Sequence, residues 1–295
     1  MLTGDILFVN QVFFLTTISE NIWLITVQYV KDQTSQTLLV AILKVKAIYS
    51  VRGFIIRCIL IENEFEPLHD DLLQNDINLN MPAANEHVPQ IEHQIHVIKE
   101  HIRATRHSLL FKTMPLLMLV KMVYTCTKLI NAFPPKGGMS NILSPRTIIM
   151  GTQLKYKNDC RLPFSAYVQA HEEPVPTNTQ EAWTMGAISL GPTGNIQGTF
   201  KFLNLQMGKK SNHHKWMGLS MPQEVLDHVN QLGKANGIHE QLTFYDWNGN
   251  LIKAIDMPTP QPEITGVPAS CDVAWLSTIH GIEDLEARTT KDSTP

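Results

Sequence analysis

The sequence predicts a mixed α/β sheet flanked by helices, followed by a smaller all-β unit. Three observations carry this. Runs of aromatic and β-branched residues open the chain. Two helices of strong apolar periodicity follow them. A firm break, Phe133-Pro-Pro-Lys-Gly-Gly138, then separates these from a series of short strands. At 295 residues the chain is long enough for one large domain or two ordinary ones.

The elements can be justified in order. Residues 5–10, 12–19 and 23–30 read as the strands of an antiparallel meander. Thr34 or Ser35 caps a helix whose apolar positions are Leu38, Leu39, Ile42, Leu43, Val45 and Ile48, and Gly53 ends it. The apolar run 54–61 reads as a buried strand. A helix between two strands of one sheet implies a crossover, and hence a parallel pairing. Residues 65–73 suggest a short helix and 77–81 a short strand. A periodic helix follows, with Ile91, Ile95, Ile98 and Ile102 on one stripe. Residues 114–133 give a second helix. Lys121 and Lys128 interrupt its apolar run, so it is a buried amphipathic helix rather than a membrane span. Three strands, helix, strand, helices is the order of an RNase H-like domain, assigned here to residues 1–151.

Residues 152–255 read as a small SH3-like β-barrel with a helix at 222–232 and a hairpin closed by Asn248-Gly249. Trp183 and Trp216 are expected in its core, and His213-His214 in a loop. Residues 256–295, with seven acids against Arg288 and Lys291, suggest a disordered acidic tail.

The formal charge of −3 points to no partner in bulk, but charge is unevenly placed. Lys99, Arg103, Arg106, Lys112, Lys121, Lys128 and Lys136 face one acid, Glu100, across the middle of the chain. Such a basic segment fits a polyanion site, and Lys99, Arg103 and Arg106 are the candidate nucleic-acid contacts. Cys58, Cys126, Cys160 and Cys271 form no CxxC pair and no zinc spacing, and read as free thiols in a reducing compartment. The first basic residue is Lys31, so no secretory signal is visible. The expected location is intracellular, nucleus or cytoplasm.

Three acids stand out. Asp5 lies at the start of the first strand, Glu62 at the end of the fourth, and Glu92 early in the isoleucine helix. In the expected sheet the first and fourth strands are neighbours. Two-metal phosphoryl transfer needs about three carboxylates converging on the ions, and hard cations prefer such oxygen ligands. Glu64 takes the place of Glu62 if the strand slips by two. Glu92 alone also suits a helix N-terminus. His93 and His96 read as surface histidines.

These residues resemble the integrase of copia-type retrotransposons. The resemblance is carried by Asp5-Ile-Leu-Phe-Val-Asn10, Ile61-Glu-Asn-Glu-Phe65 and Pro89-Gln-Ile-Glu-His93. Asn131-Ala-Phe-Pro-Pro135 with Ser144-Pro-Arg-Thr147 looks like the close of that family's core. Ala187-Ile-Ser-Leu-Gly-Pro-Thr-Gly-Asn195 with Lys201-Phe-Leu-Asn-Leu-Gln-Met-Gly-Lys209 looks like its small β domain. The resemblance implies a metal-dependent recombinase. Water attacks the element's DNA ends, and the new 3′ hydroxyl then attacks target DNA. It implies Asp5, Glu62 and Glu92 as catalytic and metal-binding acids, Mg²⁺ or Mn²⁺ as cofactor, DNA as partner, and no membrane; it admits a homo-oligomer. The family has Asp where this chain has Glu62, and usually Arg where it has His93. With four residues ahead of Asp5 and no His/Cys zinc module there, the sequence reads as a fragment or a decayed copy. These departures predict a persisting DNA-binding fold with catalysis weak or gone. The alternative is a non-catalytic nucleic-acid-binding relic of the same fold.

Overall fold

The computed structural model describes residues 1–82, 88–172, 182–195, 197–246 and 249–252. Its first strand, β1 (Leu2–Val9), alternates between two cores. Leu2, Ile6 and Phe8 join one hydrophobic cluster, and Leu7 and Val9 the other, as the two-residue period of a strand requires. Asp5 falls on the Leu7 and Val9 face. The strand begins earlier than expected, so Asp5 sits inside it rather than at its start. β2 (Val12–Ser19) returns antiparallel through Asn10 and Gln11, at φ 48° and 63°, the pair of left-handed residues that a two-residue hairpin turn demands. β3 (Ile25–Val30) completes the meander.

Thr34 caps α1 (Ser35–Ser50) by accepting the N–H of Thr37. Leu38, Ala41, Ile42, Val45 and Tyr49 of this helix bury themselves with Leu2, Ile6 and Phe8. The helix carries the chain to the far side of β1, where β4 (Cys58–Leu60) pairs parallel to it. β4 is shorter than the apolar run suggests, and Ile55 of that run is 74% exposed. A 3₁₀ turn (Asn63–Leu68) and α2 (His69–Gln74) lead to β5 (Asn78–Asn80), parallel to β4. The sheet order is β3-β2-β1-β4-β5, with the fourth strand beside the first as expected.

α3 (Pro89–His107) and α4 (Leu116–Ile130) cover the opposite face. Ile91, Ile95, Ile98 and Ile102 are all buried there with Leu7, Val9 and Phe14. α4 also finishes the edge strand β3. The Asn131 side chain accepts the Ile25 N–H at 3.0 Å and donates to the Ile25 carbonyl at 2.7 Å. The Tyr124 hydroxyl accepts the Tyr29 N–H at 2.9 Å. These bonds occupy edge groups that would otherwise template another strand.

Two short helices follow, α5 (Pro145–Met150), capped by Ser144, and α6 (Tyr156–Asp159). A second, wholly antiparallel sheet contains β6 (Tyr167–His171), β7 (Thr184–Pro192), β8 (Phe200–Asn204), β9 (Lys210–His213) and β10 (Trp216–Gly218), in the order β10-β6-β7-β8-β9. Trp216 of β10 lies 4.9 Å from the ring of Phe200 and 5.7 Å from that of Phe202, both on β8. Three strand spacings amount to about 14 Å in a flat sheet, so this sheet is strongly curled. Among the described residues β9 and β10 remain its two ends, and the pairing stops short of a closed barrel. Trp183 is 65% exposed rather than core, and His213 belongs to β9 rather than a loop.

The last elements return to the first sheet. α7 (Gln223–Ala235) buries Val229 with the α3–α4 core, and Asn230 accepts the N–H groups of Lys112 and Thr113. β11 (Phe244–Tyr245) pairs with β1, Val9 opposite Phe244. Met1–Ala254 form one compact unit. The expected acidic tail and Asn248 lie outside the described residues.

Gly233 tests the packing of α7. A Cβ there would meet the Met114 backbone nitrogen at 2.7 Å and its carbonyl carbon at 2.9 Å. In an open helix Ala stabilises over Gly by about 1 kcal/mol. Here Gly233→Ala is expected to destabilise by about 1–3 kcal/mol through overpacking, read as a lower denaturation midpoint. A stabilised variant would show that α7 does not press on this turn.

Candidate functional site

The edge of β1 away from β2 is shared by two strands. β4 pairs with Leu2 and Thr3, and β11 with Phe8 and Val9. Among the described residues no strand pairs residues 4–7 on that side, and crevices where neighbouring strands part are common ligand positions in α/β sheets. In this interval the Ile6 N–H donates to Asp5 Oδ1 at 2.6 Å. Gly4 lets the exit from β4 pass closely, since a Cβ there would meet Ile61 Cδ1 at 2.9 Å. Glu62 follows at once. It stands three residues past Ile59, as Asp5 stands three past Leu2, the parallel partner of Ile59. Glu92 lies in the first turn of α3, the helix packed on β1.

The Asp5 carboxyl is pushed up to about 7. Burial is the main cause, and the charge of Glu62 the next. The Ile6 N–H and Lys99 pull it back, and Glu92 raises it further. Asp5 therefore feels both other acids, although 57 and 30 residues separate the three along the chain. Glu62, rather than Glu64, is the acid whose charge acts on Asp5.

The basic candidates divide. Lys99 is buried on α3, and burial holds its ammonium below the usual range while Asp5 opposes that shift. Its Nζ lies 5.7 Å from the centre of the Phe244 ring, and Arg103 Cζ lies 4.8 Å from it, both within cation–π range. Phe244 thus seats Lys99, whose charge acts on Asp5, and Arg103 next to it. Arg103 also pairs with Glu100. Arg106 is occupied by the fold: its guanidinium donates to the carbonyls of Phe111 at 2.7 Å and Glu240 at 3.0 Å, and to that of Lys112. A groove lined by Arg103, Arg106, His107 and Leu242 runs beside it. His96 lies 3.9 Å from Glu100.

The electrostatics around Asp5 suit a cation, and the acids offer the oxygen donors that hard divalent ions take. The spacing does not yet suit one. Among the described residues no three His, Cys, Asp or Glu side chains stand close enough to hold an ion. The expected Mg²⁺ or Mn²⁺ cage is not formed. The three acids share a field without sharing a ligand position. Among the described residues no helix is long and apolar enough to cross a membrane.

The raised carboxyl of Asp5 makes stability depend on pH. Its folded value, about 7, exceeds the ordinary 3.8, so between these limits the folded chain holds more protons than the unfolded one. Stability should fall as pH rises from about 4 to about 7, by about 4 kcal/mol from this group, and level off above. Asp5→Asn is expected to melt higher than the parent at pH 8 and to lose that advantage at pH 4. Parallel melting curves across this range would show that Asp5 is not a strained charge.

No protein-family profile matches the chain, and no curated protein matches it. Among solved structures, the catalytic core domain of BIV integrase is similar at 13% identity and a TM-score of 0.37, over 51% of this chain and 93% of that one.

Proposed function

We propose that the chain is an integrase-type polynucleotidyl transferase acting on DNA, of the copia-like kind its motifs resemble. In this reading an RNase H-like core, residues 1–151, precedes a small β domain, residues 152–255. One observation carries the reading: three sequence-distant acids lie within one electrostatic field at an unpaired interval of the central strand. Asp5, titrating near neutrality, takes the proton from an attacking water or 3′ hydroxyl, since a general base works best with a pKa near the working pH. Lys99 and Arg103 hold the charge of the phosphate under attack. Burial, and then the charges of Glu62 and Glu92, keep the Asp5 carboxyl basic. The reading takes the three carboxylates to converge when a Mg²⁺ or Mn²⁺ ion binds, since hard divalent ions favour such oxygen donors.

Glu62 is one methylene longer than the Asp of the resembled family. A misplacement of about 1 Å can cost on the order of 100-fold in rate. Glu62→Asp is therefore expected to join labelled DNA ends roughly 10- to 100-fold faster than the parent. Equal rates would remove the argument that Glu62 slows the reaction.

The open spacing of the acids supports a second reading, a nucleic-acid-binding protein without catalysis. Mn²⁺ titration separates the two. The transferase reading expects Mn²⁺ to raise the melting temperature, by the equivalent of about 2.7 kcal/mol at 100 times its Kd, and expects Asp5→Asn to abolish the rise. DNA binding with no Mn²⁺ response in the parent chain would leave the second reading standing.

A further inference from the structure

Away from Asp5, α4 and the second sheet gather lysines. Lys121, Thr125 and Lys128 recur at i, i+4 and i+7 along α4 and so share a face. That face meets β7: a Cβ on Gly191 would lie 3.5 Å from Thr125 Oγ1. Gly191 is the register partner of Lys201 on β8, and Leu203 of β8 is the partner of Lys210 on β9. Opposed residues in an antiparallel pair project to the same side, and Lys201 shares its side with Leu203 by the two-residue period. Leu203 is buried in the core with α4. Lys121, Lys201 and Lys210 thus come from three elements to one surface.

Their charges oppose one another. Burial first, and then Lys210, hold Lys121 below the usual range. Burial first, and then Lys121, Lys128 and Lys210, do the same to Lys201. Lys128 has a counter-charge, Asp159 at 3.1 Å, which Arg146 approaches at 3.6 Å. Among the described residues no carboxylate pairs with Lys121, Lys201 or Lys210. Like charges held together in this way attract a ligand with repeated negative charge, and a phosphate backbone supplies it at regular spacing.

We propose that Lys121, Lys201 and Lys210 form a second nucleic-acid contact strip, which grips the phosphate backbone at a place distinct from the Asp5 site. It stands on the placement of the lysines and does not require catalysis at Asp5.

The test uses the full chain and a fluorescein-labelled random duplex of about 20 base pairs, with anisotropy read between about 50 and 200 mM salt. Lys121→Gln, Lys201→Gln and Lys210→Gln combined should flatten the slope of log K against log salt by about 2 to 3, at roughly 0.9 per lost contact, and weaken binding at least about 10-fold near 100 mM salt. The corresponding triple arginine variant should retain the slope. The glutamine variant should melt at or above the parent temperature because repulsion is removed, so lost binding would not reflect unfolding. Unchanged affinity and slope would overturn the proposal. A loss confined to binding of poly-glutamate would also overturn it, by reassigning the strip to an acidic protein. A parent chain that binds DNA with the expected slope but joins no ends would count against the transferase reading alone.

Discussion

The structure depends on how β1 is held. Both faces of this strand are buried, and its outer edge is divided between a parallel strand at one end and an antiparallel strand at the other. The interval between them cannot be filled by a ladder, and Asp5 occupies it. A carboxyl placed there is enclosed by the α3 core yet lies level with the end of β4, so burial and Glu62 act on it together. Domains of this kind are stable by only about 5–15 kcal/mol in total. An ionised Asp5 removes a large share of that margin. Such a residue marks a place where stability is given up, as at sites shaped for chemistry or binding.

α4 connects this arrangement to the rest of the chain. Its C-terminal end seals β3 through Asn131, and its middle packs on β7. The same helix supplies Lys121 and Lys128 to the surface it shares with β8 and β9. Ile188, Leu190 and Leu203 of the second sheet lie in one cluster with Met118, Met122 and Val123 of α4. The two sheets therefore share apolar packing, and a force on the lysines of α4 acts on the helix that also borders the β1 core.

Features determined by neighbours in sequence were legible from it. The isoleucine stripe of α3, the Thr34 cap and the β2 run are local patterns, and each forms as read. The level meeting of Asp5 and Glu62 was legible because a parallel crossover places the fourth strand beside the first. Contacts across long separations were not. Nothing in the sequence around Phe244 announces a strand paired with Val9 or a ring beneath Lys99 and Arg103. Arg106 reads as a free cation by composition, but the carbonyls of Phe111, Lys112 and Glu240 take its donors. Lys121, Lys201 and Lys210 lie on three separate elements and meet only through strand register.

The charge balance at Asp5 bears on how the proposed site would admit a phosphate. Three ionised carboxylates would repel a backbone carrying one negative charge per nucleotide. Near pH 7 the Asp5 carboxyl is about half protonated, given its value of about 7. Lys99, seated on Phe244 beside Arg103, opposes the acid charge at Asp5. An approaching phosphate would therefore meet less repulsion at neutral pH than above it, because Asp5 loses its proton as pH rises. Phe244 lies on the last strand of the sheet in chain order, so Lys99, the cation that opposes the acids at Asp5, rests on a segment more than 230 residues from Asp5 in the chain. The acid site is complete only when β11 has paired with β1.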